Sequence, residues 1–202
     1  MLFTVKTLDK ENSGALRDEL RKAHLNYLKL FESATYFDGP FLTDDGTREL
    51  GSFKILDMPD KATVEQHEAD EPFITGGLQY GTTIHRYEAQ VPYTFRDCPR
   101  KRGNIQFLVL AYDKSGQGDL REELDASHRA YRESIHDTCI TFGALLTEAG
   151  DKPTGTLSIL DAENIGAAKE LWENDPFVQG GLFDSIEFYR WRFGRIFDQF
   201  GA

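Results

Sequence analysis

Two histidines and two carboxylates stand out because they occupy equivalent places in two copies of one pattern. His24 and His128 lie 104 positions apart, and Glu71 and Asp175 keep the same offset. Each acid opens a short stretch, Glu71-Pro72-Phe73-Ile74-Thr75-Gly76-Gly77-Leu78 and Asp175-Pro176-Phe177-Val178-Gln179-Gly180-Gly181-Leu182. An imidazole held by a carboxylate through one ring nitrogen has its tautomer fixed and its other nitrogen made more basic. That is the composition of a general base working near neutral pH. His24 with Glu71 and His128 with Asp175 are therefore the candidate catalytic pairs. Tyr27 and Tyr131 follow the histidines by three positions and can hydrogen-bond a substrate oxygen, while Phe73 and Phe177 can wall a ring. Each acid is expected at the C-terminal end of a helix stopped by the following proline. There it opposes the helix dipole at about 0.3–1 kcal/mol if exposed, and a local rule broken twice at one place marks a site.

The same offset runs through the chain without a gap. It pairs Asp9-Lys10 with Asp113-Lys114, Leu16-Arg17 with Leu120-Arg121, and Ile55-Leu56-Asp57 with Ile159-Leu160-Asp161. The chain is two copies of one unit, each small enough to gain by packing on a partner. In the first copy, Leu2–Leu8 reads as a strand. Leu16, Leu20, Ala23, His24, Tyr27, Leu28 and Phe31 fall at three-and-four spacing on one face of a helix of about 18 residues starting at Ala15, with Arg17, Asp18, Arg21 and Lys22 on its solvent side. Tyr36–Leu42 reads as an irregular strand broken at Gly39-Pro40, Gly51–Met58 as a strand, 61–70 as a helix and Gly81–Glu88 as the last strand. The second copy predicts strands over Ile105–Ala111, Ile140–Leu146, Gly155–Leu160 and Ser185–Trp191, with helices over 120–137 and 162–174.

The order β-α-β-β-α-β is the ferredoxin-like split. A four-stranded sheet with both helices on one face leaves its other face bare. The expected fold class is thus α+β, two ferredoxin-like units packed sheet to sheet as an intrachain dimeric α/β barrel. Expected boundaries are 1–88, a linker at 89–103, and 104–202 with an aromatic tail of Phe193, Ile196, Phe197 and Phe200 that has no obvious counterpart in the first copy.

Charge narrows the partners. The net charge is −11, and both copies share it: residues 1–88 hold ten basic against sixteen acidic side chains, and 104–202 nine against seventeen. Nucleic acid and anionic membrane need clustered Lys and Arg, so neither is expected. Arg100-Lys101-Arg102 reads as a solvated linker. No window approaches about 18 continuous apolar residues, and the start reads as a strand rather than a signal peptide. Cys98 and Cys139 are not repeat mates and fit a reducing, cytoplasmic setting. No metal-ligand spacing, phosphate loop, nucleophile elbow or dinucleotide fingerprint appears, so no cofactor or metal is expected. The Gly-Gly pairs read as tight turns.

The helix-borne histidines, the Gly39-Pro40 break, the acid-Pro-Phe stretch and the element order together resemble the YciI-like (YCII-related) domain, here in tandem. The resemblance implies a histidine-carboxylate pair in a pocket of each unit, with Gly39 and Pro40 among the substrate-binding residues. It also implies small-molecule chemistry, since characterised members of that family include a dehydrochlorinase acting on chlorinated hydroxyhydroquinones. His128 and Asp175 match the family pattern in full, whereas Glu71 stands where the family has aspartate, with Asp70 one place earlier as the alternative acid. The expected function is a cofactor-independent lyase or isomerase abstracting a proton from a small oxygenated aromatic or cyclic catabolite. The opening Met1-Leu2-Phe3-Thr4-Val5-Lys6 also resembles muconolactone isomerases, and a non-catalytic ligand-binding or accessory protein is the rival reading. The expected partner is a small-molecule substrate, and a homodimer of the tandem chain is left open.

Overall fold

The structure, a computed structural model, describes residues 1–200 and the side chains of residues 1–197. The first repeat is built from β1 (Leu2–Asp9), α1 (Gly14–Lys29), β2 (Thr35–Leu42), β3 (Glu49–Asp57), α2 (Lys61–Ala69), α3 (Pro72–Thr75) and β4 (Gln79–Ala89). The second follows as β5 (Ile105–Asp113), α4 (Gly118–Ser134), β6 (Cys139–Leu146), β7 (Pro153–Ala162), α5 (Ile165–Glu173), α6 (Pro176–Gln179) and β8 (Phe183–Trp191). Within each repeat the strand order is the same, β4-β1-β3-β2 and β8-β5-β7-β6. The two inner strands of each repeat pair antiparallel in matching register, Phe3 opposite Leu56 and Phe107 opposite Leu160. The protein is α+β, two ferredoxin-like units in one chain, the fold class of an intrachain dimeric α/β barrel.

Burial explains the elements. Phe3 and Val5 of β1 and Leu56 of β3 pack with Met58 and Val64 in the first unit. Val109, Leu160, Trp172, Phe177 and Leu182 do so in the second. Each large apolar side chain so buried stabilises the fold by about 1.5–3 kcal/mol. The second helix of each repeat starts at a side-chain cap: Asp60 accepts from Thr63 N at 2.8 Å, and its repeat mate Asn164 from Ala167 N at 3.0 Å. That cap places the start of α5 at Ile165, three residues after the expected start at 162. β2 is not broken at Gly39-Pro40. Both residues stay in register with β3, Gly39 opposite Phe53 and Pro40 opposite Ser52, and the irregularities fall near the strand's two ends.

Two compact units result. Residues 1–87, 94–96 and those from Trp191 on form unit 1, and residues 88–93 and 97–190 form unit 2. The stretch expected as a linker is thus divided, and the tail belongs to unit 1. The tail also has a counterpart after all. Gly194 N donates to Asp38 O at 2.8 Å, and Gln90 N, one repeat earlier, donates to Phe142 O at 2.9 Å. In unit 1, Phe197 is fully buried and stacks on Phe95 at 3.8 Å. The Phe200 side chain lies outside the described residues. No helix among the described residues is long and apolar enough to cross a membrane.

Candidate functional site

Helix periodicity puts Arg17, His24 and Leu28 on the buried face of α1, and Arg121, His128 and Arg132 on that of α4. The acid comes from the short helix that follows α2 or α5. Pro72 and Pro176 do not stop a helix at the acid; they begin a new one, as a proline at the first helical position does. Glu71 and Asp175 are its N-caps, accepting from Phe73 N at 3.0 Å and Phe177 N at 2.9 Å. They therefore face the favourable end of a dipole, and the expected conflict at this point is absent.

Each cap also receives a histidine. His24 Nδ1 lies 2.5 Å from Glu71 Oε1, and His128 Nδ1 lies 2.8 and 3.0 Å from the two oxygens of Asp175. Burial opposes ionisation of both carboxyls. The histidine hydrogen bonds and nearby cations, Lys54 for Glu71 and Arg132 for Asp175, outweigh it and hold both below the usual range. An ionised acceptor makes Nδ1 the donor, so in the neutral ring the lone pair sits on Nε2. Asp70 does not compete. It caps the end of α2, accepting from Gln66 Nε2 at 2.8 Å in an exposed position.

Sequence reasoning missed a further pair. Arg17, expected on the solvent side of its helix, and its repeat mate Arg121 are both buried. Their guanidinium carbons lie 4.7 and 4.6 Å from the ring centres of Phe73 and Phe177. Those rings in turn stack on His24 and His128 at 3.8 and 3.9 Å, both at 13°. Asp9 and Asp113, at the ends of β1 and β5, pair with the arginines at 2.6 and 2.7 Å. Both units thus contain one column, Asp–Arg–Phe–His–acid. The signal was present in the offset of 104 that Asp9, Arg17 and their mates share.

Three expected roles change. Phe73 and Phe177 are buried in the column and act as spacers; Phe73 also borders a small cavity, whereas Phe177 does not line the cleft of unit 2. Tyr27 OH donates to His67 O at 2.8 Å and Tyr131 OH to Leu171 O at 2.7 Å, so the phenols tie two helices together instead of facing a ligand. Gly39 is covered by the tail. Its carbonyl accepts from Trp191 Nε1 at 3.2 Å, and a methyl group there would overlap the Arg192 carbonyl oxygen. Pro40 does border a cavity with His24.

Around the common column the units differ. In unit 2, fully buried Arg132 spans Asp175 Oδ2 at 2.7 Å and Ser158 Oγ at 2.9 Å. Leu28 stands in the place of Arg132 in unit 1, and the cation comes from Lys54, the mate of Ser158. Lys54 Nζ pairs with Glu68 at 2.7 Å, and His67 Nδ1 lies 3.0 Å from the same oxygen. Burial opposes the Lys54 charge, but Glu68, Glu71 and Asp38 push its pKa up; Glu68 itself is held at about 2, burial being outweighed chiefly by Lys54. Asp38 replaces Phe142.

Access differs as well. In unit 1 an inner cavity of about 20 Å³, room for a single water molecule, is bordered by His24, Asp38, Pro40, Phe73 and tail residue Ile196. An outer cleft of about 400 Å³ shares Arg17, Arg21, Glu49, Arg192 and Arg195 with it. In unit 2 the equivalent cleft measures about 780 Å³ and reaches Arg121, Asp125 and Arg129. His128 does not line it and is 2 % exposed. Among the described residues no group of three or more His, Cys, Asp or Glu is arranged to hold a metal ion.

The sequence pattern of the YCII-related domain matches residues 1–87 and 105–192. No curated protein matches the chain. Among solved structures, 5-chloro-2-hydroxyhydroquinone dehydrochlorinase from Burkholderia phenoliruptrix AC1100, in complex with 2,5-dihydroxybenzoquinone, is 28% identical. It aligns over 44% of this chain and 94% of its own, with a TM-score of 0.41. A chlorite dismutase from Candidatus Nitrospira defluvii is 10% identical over 100% of this chain and 95% of its own, at 0.64. A heme-binding protein from Thermus thermophilus is 12% identical over 100% and 94%, at 0.56. The last two likenesses show the shared fold.

Proposed function

Since this chain belongs to the YCII-related domain family, with the domain present twice, we propose that it is a small-molecule enzyme working by histidine proton abstraction. His24 Nε2 takes a proton from carbon in a small oxygenated cyclic substrate, and elimination or isomerisation follows. Glu71 fixes the ring and stabilises the imidazolium that forms, and no electron carrier is needed for such a step. The observation that carries this reading is the Nδ1-to-carboxylate hydrogen bond, made twice at equivalent positions, in unit 1 beside a cavity. The full match of His128 and Asp175 to the family pattern favours His128 as the principal base. Here Asp175 also serves Arg132, and a carboxylate shared with a guanidinium is a weaker partner for imidazole. His24 is therefore placed first and His128 second. A substrate seated in the outer cleft, whose volume suits a small ring, reaches His24 when the segment from Arg192 to Ile196 yields.

The near-complete burial of the unit 2 pair favours a second reading for that unit, a structural role that completes the fold. A screen of hydroxylated and chlorinated quinols and of lactones, with product analysis, tests the proposal. Conversion should fall by about 10²–10⁴-fold in His24→Ala. Binding without conversion, equal in wild type and variant, would move the protein to the ligand-binding class.

A further inference from the structure

Asp38 is the group in unit 1 that the His24–Glu71 pair does not explain. It sits on β2 opposite Lys54 of β3, yet the Lys54 ammonium is committed to Glu68 at 2.7 Å. Asp38 is 3 % exposed, and its Oδ2 is buried with no hydrogen-bond partner. It borders the same inner cavity as His24. The tail holds it in place, Gly194 donating to its backbone carbonyl at 2.8 Å. Phe142 at the equivalent place in unit 2 shows that the fold accepts an apolar side chain there. An unpartnered carboxylate is costly in such surroundings, and the acid is better accommodated with its proton kept. Burial, the largest influence on Asp38, pushes its pKa up.

We propose that Asp38 is a catalytic acid of the cavity it shares with His24, so that unit 1 handles two protons at once when a small cyclic carbonyl compound with an acidic C–H beside the carbonyl enters from the outer cleft as the segment from Arg192 to Ile196 yields. The inference rests on His24 being the base. His24 Nε2 removes the proton from carbon, the C–H electron pair becomes the new C=C bond, and the carbonyl π pair takes the Asp38 proton. The products are an enol, an imidazolium and a carboxylate, so charge and protons balance. Where the substrate carries a C=C next to that carbon, the enol is a dienol, and return of the imidazolium proton to its far carbon, with the enol proton going back to Asp38, moves the double bond into conjugation and completes an isomerisation. A carboxylic acid kept neutral by its site donates to developing charge on oxygen in this way.

Two measurements on the full chain test this. Infrared spectroscopy at neutral pH should show the carbonyl stretch of one buried protonated carboxyl in wild type and in His24→Ala, missing in Asp38→Asn and Asp38→Leu. Its absence from wild type overturns the proposal. Deuterium exchange into the carbon beside the carbonyl of cyclohexanone and of a five-membered lactone, in heavy water, supplies the second readout. Wild type should accelerate exchange, and Asp38→Asn should slow it by about 10²-fold or more. Exchange lost in His24→Ala but unchanged in Asp38→Asn overturns the role of Asp38 while leaving His24 as base. No exchange in wild type removes both.

Discussion

Asp175 and Glu71 occupy the same position yet carry different electrostatic duties, and the difference is measurable. Asp175 neutralises fully buried Arg132, whereas no ion pair to Lys or Arg is made by Glu71 among the described residues. Removing one partner of a buried ion pair strands the other, at about 3–5 kcal/mol. Asp175→Asn should therefore lower stability by about that much in urea denaturation, and Glu71→Gln by clearly less. Equal losses would mean that Arg132 is not held by Asp175. The pH dependence follows from the same groups. Glu71 and Asp175 have folded pKa values below their unfolded ones, near 4. Their contribution is present above the unfolded value and disappears as pH falls through the folded one. Asp38 has the opposite sign. Its contribution is present below the unfolded value and disappears as pH rises through the raised folded one, with Lys54, His24, Glu71 and Glu68 around it and Arg192 and Arg195 bordering its cavity. Asp38→Asn should thus gain stability over wild type on the alkaline side, and denaturation midpoints across pH read this directly. At this scale the histidines and acids were legible because they recur. Arg17 and Arg121 were not, since a charged side chain on a helix reads as solvated unless its ring neighbour and its aspartate, eight positions away, are known.

The turn after each short helix is the element that sets the acid and the stacked phenylalanine. Gly77 and Gly181 have φ of +74° and +72°, while a methyl on Gly76 or Gly180 would overlap Leu20 or Leu124 of the histidine helix. The two glycines serve different ends, backbone conformation and close packing. Gly181→Ala should cost about 1–2 kcal/mol from the left-handed backbone alone. The loss should appear as faster hydrogen exchange around Phe177 before the rest of unit 2. An unchanged exchange pattern would show that the turn does not position the site. The composition of this stretch announced a turn, but a proline after an acid was read as a stop. The same residues begin a helix once the acid caps it, a choice decided by the cap hydrogen bonds and invisible to periodicity.

Across the molecule, the repeat made the element order and the fold class readable, because every periodicity was seen twice. Contacts between residues 47 positions apart, such as His24 with Glu71, were legible only as a proposal that the two meet. The role of the tail was hidden for another reason. Its mate lies in the segment after β4, where Gln90 makes to Phe142 the backbone hydrogen bond that Gly194 makes to Asp38, although the two segments have almost no sequence character in common. Phe197 anchors the tail to unit 1 with no exposed surface. Phe197→Ala should cost about 3–5 kcal/mol and loosen the segment that borders His24, seen as added protease cleavage beyond Trp191. Cleavage at the wild-type rate would place the anchor elsewhere.

The central claim is that His24 is a working base, and a single comparison tests it most directly. Conversion of the quinol and lactone panel is measured for wild type, His24→Ala, His128→Ala and the double variant, each first shown to be folded. The account predicts a loss of about 10² or more in His24→Ala and a smaller change in His128→Ala. Conversion unchanged in His24→Ala and in the double variant would contradict it.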